Sequence, residues 1–305
     1  MNIIIIGTSP IIEHHIKCLQ YLKFNILAIC TTNKSSSNHI ILKNKYKINY
    51  AFNDVKKLFY FANKCKEFSF LVAPRIKDTE KIILKCLRYN TKIFVEKPIT
   101  NNLSFLKKIY KYKKLIFVGY NRIFYENVGF LYKKIKNKKN LFIDVSCAED
   151  NKNDILTNSC HIISILLKIF KDIKIFKIVR DKNFIFVSAE TFKKNFLIIK
   201  LNFQATENFE IKIIDRKIVY HLKPIEKLVI YKNLEKVLVD NVNYYKPKKK
   251  KEINEFKMNI YKPGFLNQAK MFKKFIKYDK KIINNIDFSK KIIKLTNKIY
   301  GKKSL

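Results

Sequence analysis

Two short runs of this chain carry residue types that can move protons beside a bound substrate. The first is Lys92-Ile93-Phe94-Val95-Glu96-Lys97-Pro98-Ile99-Thr100. Apolar residues lead to a charged pair and Pro98 stops the run, so it reads as a short buried strand ending in a loop. Ligands in open α/β sheets bind outside the carboxyl ends of the strands, where this acid and base would stand. A strand followed by a solvated salt pair is the plainer reading. The second run is Thr157-Asn158-Ser159-Cys160-His161-Ile162-Ile163-Ser164, inside a helical pattern from about Leu156 to Phe170. Thr157 and His161 are four apart and would share a helix face. His161 is either a proton carrier or a satisfied histidine on an apolar helix.

The elements around the first run alternate in type. Residues 3–6 are a continuous apolar run, as in a parallel strand buried on both faces. Gly7-Thr8-Ser9-Pro10-Ile11-Ile12 follows, and then a helical pattern to Leu22. A dinucleotide turn here would read Gly-x-Gly-x-x-Gly. Gly7 is the one glycine present, with Ser9 and Ile12 at the other two positions. Ser9 still brings a hydroxyl and an N–H to a helix start, where anions are favoured. Strand Asn25–Cys30 ends at Thr31, where an acid would bind the ribose of NAD. Thr31 with Lys34 close by suits a 2′-phosphate, or weakened cofactor binding. A helix over about 38–46, a strand at 50–52, an N-cap at Asp54 and a strand Phe68–Pro74 follow. An amphipathic helix over 79–89 leads into the Glu-Lys-Pro strand. Past a helix from Asn102 or Ser104 to about Lys111, the strand 115–118 ends in Gly119-Tyr120-Asn121-Arg122. Strands alternating with helices over short connections predict a parallel, doubly wound sheet.

From Asn140 the pattern changes to alternating β-formers such as Phe142, Val145, Phe184, Phe196, Ile198, Ile211 and Val237. They predict an antiparallel sheet interrupted by the helix at 156–170. Lys246-Pro247-Lys248-Lys249-Lys250-Lys251 reads as a solvated loop. Tyr261-Lys262-Pro263-Gly264-Phe265 enters a helix. A last helix, about 286–299, carries Ile292, Ile293, Leu295 and Ile299 on one face and is expected to pack back on the first domain.

At 305 residues the chain has room for two domains, and 48% apolar residues make it globular. No run approaches the ~18 apolar residues of a membrane span. The start reads as a first strand rather than a signal peptide. Six scattered cysteines show no Cys-x-x-Cys and no zinc spacing, and are read as free thiols of a reducing cytoplasm, with Cys30 in the core. The net charge of +40 comes almost entirely from Lys, with five Arg in the chain. A/T-rich codons produce such a bias. The lysines are spread along the chain and Arg, the better base reader, is rare, which argues against specific nucleic-acid binding.

Glu96-Lys97-Pro98, with Gly119-Tyr120-Asn121-Arg122 some 20 residues later, resembles the Gfo/Idh/MocA oxidoreductases. Pro263-Gly264-Phe265 with Gln268 is similar to a further stretch of that family, so the resemblance spans essentially the whole chain. It implies an α/β fold: a Rossmann-like doubly wound parallel sheet over 1–120, which binds NAD or NADP, and an α+β domain with an open antiparallel sheet over 121–305. It implies hydride transfer to or from a carbinol carbon of a sugar, nucleotide sugar or cyclitol. By the same resemblance, Lys97 would hold the reacting oxygen, oriented by Glu96, and His161 would carry the proton. Tyr120, Arg122 and Thr157 would join them on the substrate. Gly7, Ser9, Pro10, Ile11, Thr31, Ala73, Pro74, Glu96, Lys97, Asn121 and Arg122 would hold the cofactor. His15 falls where the family commonly has a histidine, and is also read as a partly buried helix residue. The sheet of the second domain would make a homo-oligomer in the cytoplasm, with no membrane or nucleic acid as partner. Thr157 and Ser164 stand where the family's helix carries Asp. With the lost glycines and ribose acid, they motivate a second reading, a catalytically impaired nucleotide-binding or scaffold subunit. A polyanion-binding protein, motivated by charge, is the third.

Overall fold

The structure, a computed structural model, describes residues 1–258, 260–278 and 282–301. The chain divides into two compact units, Met1–Asn121 with Gly264–Lys294, and Arg122–Pro263 with the described residues 295–301.

The first unit opens as strand and helix in turn: β1 (Asn2–Ile6), α1 (Pro10–Tyr21), β2 (Asn25–Cys30), α2 (Asn38–Tyr46), β3 (Tyr50–Phe52), α3 (Val55–Ala62), β4 (Phe68–Val72), α4 (Ile76–Cys86), β5 (Ile93–Glu96), α5 (Leu103–Ile109) and β6 (Ile116–Gly119). All six strands are parallel, in the order β3-β2-β1-β4-β5-β6. The order reverses between β1 and β4, the switch point at which doubly wound sheets bind ligands. Ile3 to Ile6 are wholly buried, as central parallel strands must be. Asp54 caps α3 through the Lys56 N–H, and Asn102 caps α5 through the Ser104 N–H. α4 begins at Ile76, three residues before the sequence pattern suggests, because its first turn lacks an apolar face; Thr79 is buried and returns its hydroxyl to the Arg75 carbonyl.

The second unit begins with α6 (Glu126–Ile135), a helix the sequence reading passed over, followed by β7 (Phe142–Glu149), α7 (Cys160–Phe170), β8 (Ile173–Arg180), β9 (Phe184–Thr191), β10 (Phe196–Phe203), β11 (Glu210–Asp215), β12 (Ile218–Leu222), β13 (Lys227–Val239), β14 (Val242–Asn254) and α8 (Glu255–Met258). The sheet order is β14-β13-β12-β11-β7-β10-β9-β8. It is not wholly antiparallel: β10 pairs with β7 in parallel. α7 carries the chain back between β7 and β8, so β8 restarts in the direction of β7, and two reversals later β10 runs that way again. The inner face holds Ile143, Val145, Leu197, Ile199, Ile211 and Ile213, all at 0–1% exposure. On the other face Phe142 stacks on Phe196, their ring centroids 5.9 Å apart, and both are exposed.

The Lys246–Lys251 run is a strand, not a loop. It lies in β14, paired with β13 across a turn whose Asp240 and Asn241 both have positive φ, as a two-residue hairpin needs. Its lysines lack the apolar alternation that betrays a strand, because β14 is the sheet's edge. Lysine and proline on an edge discourage pairing with another chain.

The chain then returns to the first unit with α9 (Phe265–Tyr278) and the start of α10 (Ile286–Tyr300), so the second unit is narrower than 121–305. Phe272 of α9 meets Phe94 of β5 edge-on at 5.3 Å and lies parallel to Phe24 at 6.4 Å. Asn284 covers edge strand β6 by exchanging hydrogen bonds with the Val118 N–H and carbonyl.

Candidate active site

In the first unit, β1 ends at Gly7, whose φ is +126°. A Cβ there would stand 2.2 Å from the Ala73 carbonyl oxygen and 3.2 Å from Pro74 N, so only glycine fits. The Gly7 N–H donates to the Cys30 carbonyl at 2.8 Å. Gly7 therefore sits between the ends of β2 and β4, at the switch point. Ser9 is the N-cap of the 12-residue α1, Pro10 is in its first turn, and the Ser9 side chain makes no capping bond. Ser9 and Pro10 are exposed and Ile11 is half-buried. The Ile12 N–H donates to the Ser9 carbonyl at 2.9 Å, and the other first-turn N–H groups stand at the positive end of the helix dipole, an anion site. Pro10 removes one of those donors. Ile12, at the third glycine position, is wholly buried.

The turn fits the pyrophosphate of a dinucleotide better than the β2 end fits its ribose. Thr31 is 1% exposed. Its hydroxyl oxygen accepts from the Thr8 hydroxyl at 3.1 Å and from the Asn33 N–H at 3.2 Å. Thr31 is thus built into the floor of the site. Lys34 is 81% exposed and 3.8 Å from Asp54.

At the end of β5, Lys97 is half-buried and its bond to Pro98 is cis. Glu96 accepts the Lys97 backbone N–H on Oε2 at 3.1 Å and meets His15 Nε2 with Oε1 at 2.6 Å. The carboxylate expected to orient the lysine side chain therefore fixes the lysine backbone. Tyr120, expected on the substrate, is wholly buried with its ring edge-on to Phe288, 5.8 Å away; it belongs to the core. Asn121 is 7% exposed.

In the second unit, the helix bearing His161 starts at Cys160, so Thr157 is not on it and shares no face with His161. Thr157 instead ends a separate 3-10 turn over Lys152–Leu156, closed by an Asn151–Asp154 capping box. Asp154 captures the chain there, its carbonyl accepting the N–H groups of Thr157, Asn158 and Ser159. Ser159 becomes the N-cap of α7, and its hydroxyl donates to Glu149. Glu149, at the end of β7, is 4% exposed and also accepts from Asn158 Nδ2 at 3.4 Å. Burial pushes its carboxyl above the ordinary range, partly offset by these hydrogen bonds. Glu149 was not legible in the sequence: an acid ending a strand in Ala148-Glu149-Asp150 looks like any turn. It places a carboxyl at the start of the helix that carries His161.

The Arg122 guanidinium lies over the Phe209 ring at 5.5 Å, and its Nη1 is buried without a hydrogen-bond partner among the described residues. The turn that carries it is tied down by Lys168, whose ammonium donates to the Ile123 carbonyl. Burial pushes the Lys168 ammonium down to about 8. The native state then binds this proton less tightly than the unfolded chain, so stability should rise as pH climbs from about 8 toward 10.5. The cost below pH 8 is on the order of 3 kcal/mol. Unfolding free energies of the wild type and Lys168→Met, compared from pH 7 to 10, should converge as pH rises; a pH-independent difference would contradict the assignment.

Residues 1–120 match the family model described as "Oxidoreductase family, NAD-binding Rossmann fold", that of Gfo/Idh/MocA. This part of the chain is similar to the nucleotide-binding domain of the Gfo/Idh/MocA oxidoreductases. No curated protein is significantly similar by sequence. Solved structures share the fold over nearly the whole chain. A dehydrogenase from Clostridium difficile is 19% identical with a TM-score of 0.76, covering 99% of each chain. An oxidoreductase from Agrobacterium radiobacter, solved with NAD⁺, L-tartaric acid and magnesium, is 11% identical with a TM-score of 0.73, covering 99% of this chain and 96% of that one. UDP-N-acetylglucosamine 3-dehydrogenase from Acidithiobacillus ferrooxidans is 8% identical with a TM-score of 0.76, covering 99% and 97%.

The first unit thus gathers Gly7, Ser9, Pro10, Ile11, Thr31, Ala73, Pro74, Glu96 and Lys97 along the carboxyl edge of one parallel sheet. Arg122, Thr157 and His161 belong to the second unit. Among the described residues no helix is long and apolar enough to cross a membrane.

Proposed function

We propose that this protein is an NAD(P)-dependent dehydrogenase acting on a carbinol carbon of a sugar-like substrate. The observation that carries the reading is the side-chain-free approach of Gly7 to Ala73 at the switch point, on the same sheet edge as Lys97. β5 lies two strands from β1, so Lys97 stands roughly 10 Å across from the turn, a reach compatible with a dinucleotide laid along the edge. A bound nicotinamide supplies or accepts the hydride. Lys97, on that edge, holds the reacting oxygen. Arg122, half-buried with its guanidinium over Phe209 and its Nη1 buried without a hydrogen-bond partner among the described residues, favours substrates bearing a carboxylate or phosphate, since a buried donor left unpaired is costly. The Agrobacterium protein of the same fold, solved with NAD⁺, supports the cofactor class. Thr31 and Lys34 leave NAD and NADP both open.

The test is absorbance at 340 nm with NAD⁺ and with NADP⁺ against aldoses, uronic acids, sugar phosphates, cyclitols and nucleotide sugars. One nucleotide should be reduced with one substrate class, acidic members fastest. Nucleotide binding without reduction by any class would favour the impaired-subunit reading.

The second unit's outer sheet face, where Phe142, Phe184 and Phe196 are exposed, is the proposed self-association surface. Light scattering should give a multiple of 36.4 kDa; a monomer at micromolar concentration would sink that part. Six free cysteines fit the reducing cytoplasm this reading assumes.

A further inference from the structure

His15 and Glu96 are 81 positions apart and meet inside the first unit, His15 Nε2 lying 2.6 Å from Glu96 Oε1. His15 is 3% exposed and the Glu96 side chain 12%. A carboxylate oxygen is an acceptor, so the contact assigns the donor role to Nε2. The other carboxylate oxygen accepts the Lys97 N–H at 3.1 Å. One carboxylate therefore links α1, the helix that begins at the nucleotide turn, to the backbone of the lysine.

The surroundings are shaped for this pair. Phe94 meets the imidazole edge-on at 5.0 Å, and Phe265 of α9 packs on it at 4.8 Å. Gly119 leaves the carboxylate its place, because a Cβ there would stand 2.9 Å from Glu96 Oε1. Four elements, α1, β5, β6 and α9, thus contribute to housing two polar groups in an aromatic cluster. An apolar pair of equal volume would often serve stability as well. What the polar pair adds is direction, since it fixes where β5 hands the chain to Lys97.

We propose that His15 is a positioning residue for Lys97, acting through Glu96, and that this link couples nucleotide occupation of the α1 turn to the placement of the lysine. The existence of the pair stands on geometry; its role rests on the dehydrogenase reading.

The chain contains four Glu-Lys steps, at 80–81, 96–97, 226–227 and 235–236. Full-length protein labelled with carbonyl-¹³C glutamate and ¹⁵N lysine should therefore give four selected amide signals, with Lys97 assigned by its loss in Lys97→Ala. NADH and NADPH are titrated into the wild type, His15→Leu and His15→Gln. In the wild type the Lys97 amide should move with the nucleotide that binds. In His15→Leu it should stay still, although the dissociation constant changes by less than about threefold. His15→Gln, which keeps a donor, should restore the movement, a rescue that a filler role would not produce. A Lys97 amide that ignores bound nucleotide in the wild type, or responds equally in His15→Leu, overturns the coupling. The other three signals report whether His15→Leu is folded, and if it is not, the wild-type titration still decides. Failure of both nucleotides to bind overturns the dehydrogenase reading and the coupling with it, a result distinct from a bound nucleotide with an unmoved amide.

Discussion

Lys97→Ala should lower turnover by about a hundred- to a thousandfold, the range for losing a positioned donor to a developing oxyanion, while nucleotide affinity changes by no more than a few-fold. Lys97 stands at the end of β5, its backbone N–H fixed by Glu96. The atoms nearest the missing side chain of Gly7 belong to Ala73 and Pro74, so removing the Lys97 side chain should leave that approach intact. The loss should appear in kcat more than in KM, because the lysine's contact strengthens as charge develops on the reacting oxygen. Turnover and nucleotide binding are measured on the same preparation. A variant within tenfold of the wild-type rate would remove Lys97 from the chemistry and leave the pair Glu96–Lys97 a structural feature of the strand end.

Gly7→Ala should abolish nucleotide binding and lower the thermal midpoint by roughly 5–15 °C. Two costs add at this residue. Its φ of +126° lies where L side chains are strained, and the new Cβ would sit 2.2 Å from a backbone oxygen. Strain of this kind costs about 1–3 kcal/mol, and overpacking against atoms that cannot move aside costs a similar amount. Backbone cannot swing away as a flexible side chain would, so β1 and β4 must part at the switch point. Calorimetric unfolding, with and without NAD⁺ and NADP⁺, reads both effects. A variant that keeps the wild-type midpoint and still binds nucleotide would show that the approach of Gly7 to Ala73 is looser than described.

The first unit was legible in the sequence because its signals are local. Asn25-Ile26-Leu27-Ala28-Ile29-Cys30 is an apolar run between turn residues, and β2 has those bounds. Asp54 and Asn102 announce helix starts by their chemistry, and both cap. Tertiary choices were less visible. Thr157 was placed on the His161 helix because Thr, Asn, Ser and Asp within 151–159 all suit a cap, and sequence spacing cannot say which wins. Asp154 and Ser159 divide the segment between them. β14 was hidden because strand character at an edge comes from pairing, here with β13, rather than from alternation. The His15–Glu96 bond joins residues whose distance in sequence carries no signal; Gly119, a glycine at a strand end, was the trace of it. The surplus of lysine remains dispersed, with several ammonium groups lying over nearby tyrosines, such as Lys64 on Tyr60 and Lys113 on Tyr110, each 4.5 Å from the ring centroid.

The account stands or falls on whether a turn with Gly7, Ser9 and Ile12 still holds a nicotinamide nucleotide. The thermal midpoint of the wild type with millimolar NAD⁺, NADH, NADP⁺ or NADPH measures this directly. A ligand at about a hundred times its dissociation constant adds roughly 2.7 kcal/mol to the native state, a rise of a few degrees for units of this size. A rise with one oxidised and reduced pair is the predicted result, and it names the cofactor. An unchanged midpoint with all four would contradict the assignment and leave a Rossmann unit that has kept its fold and lost its ligand.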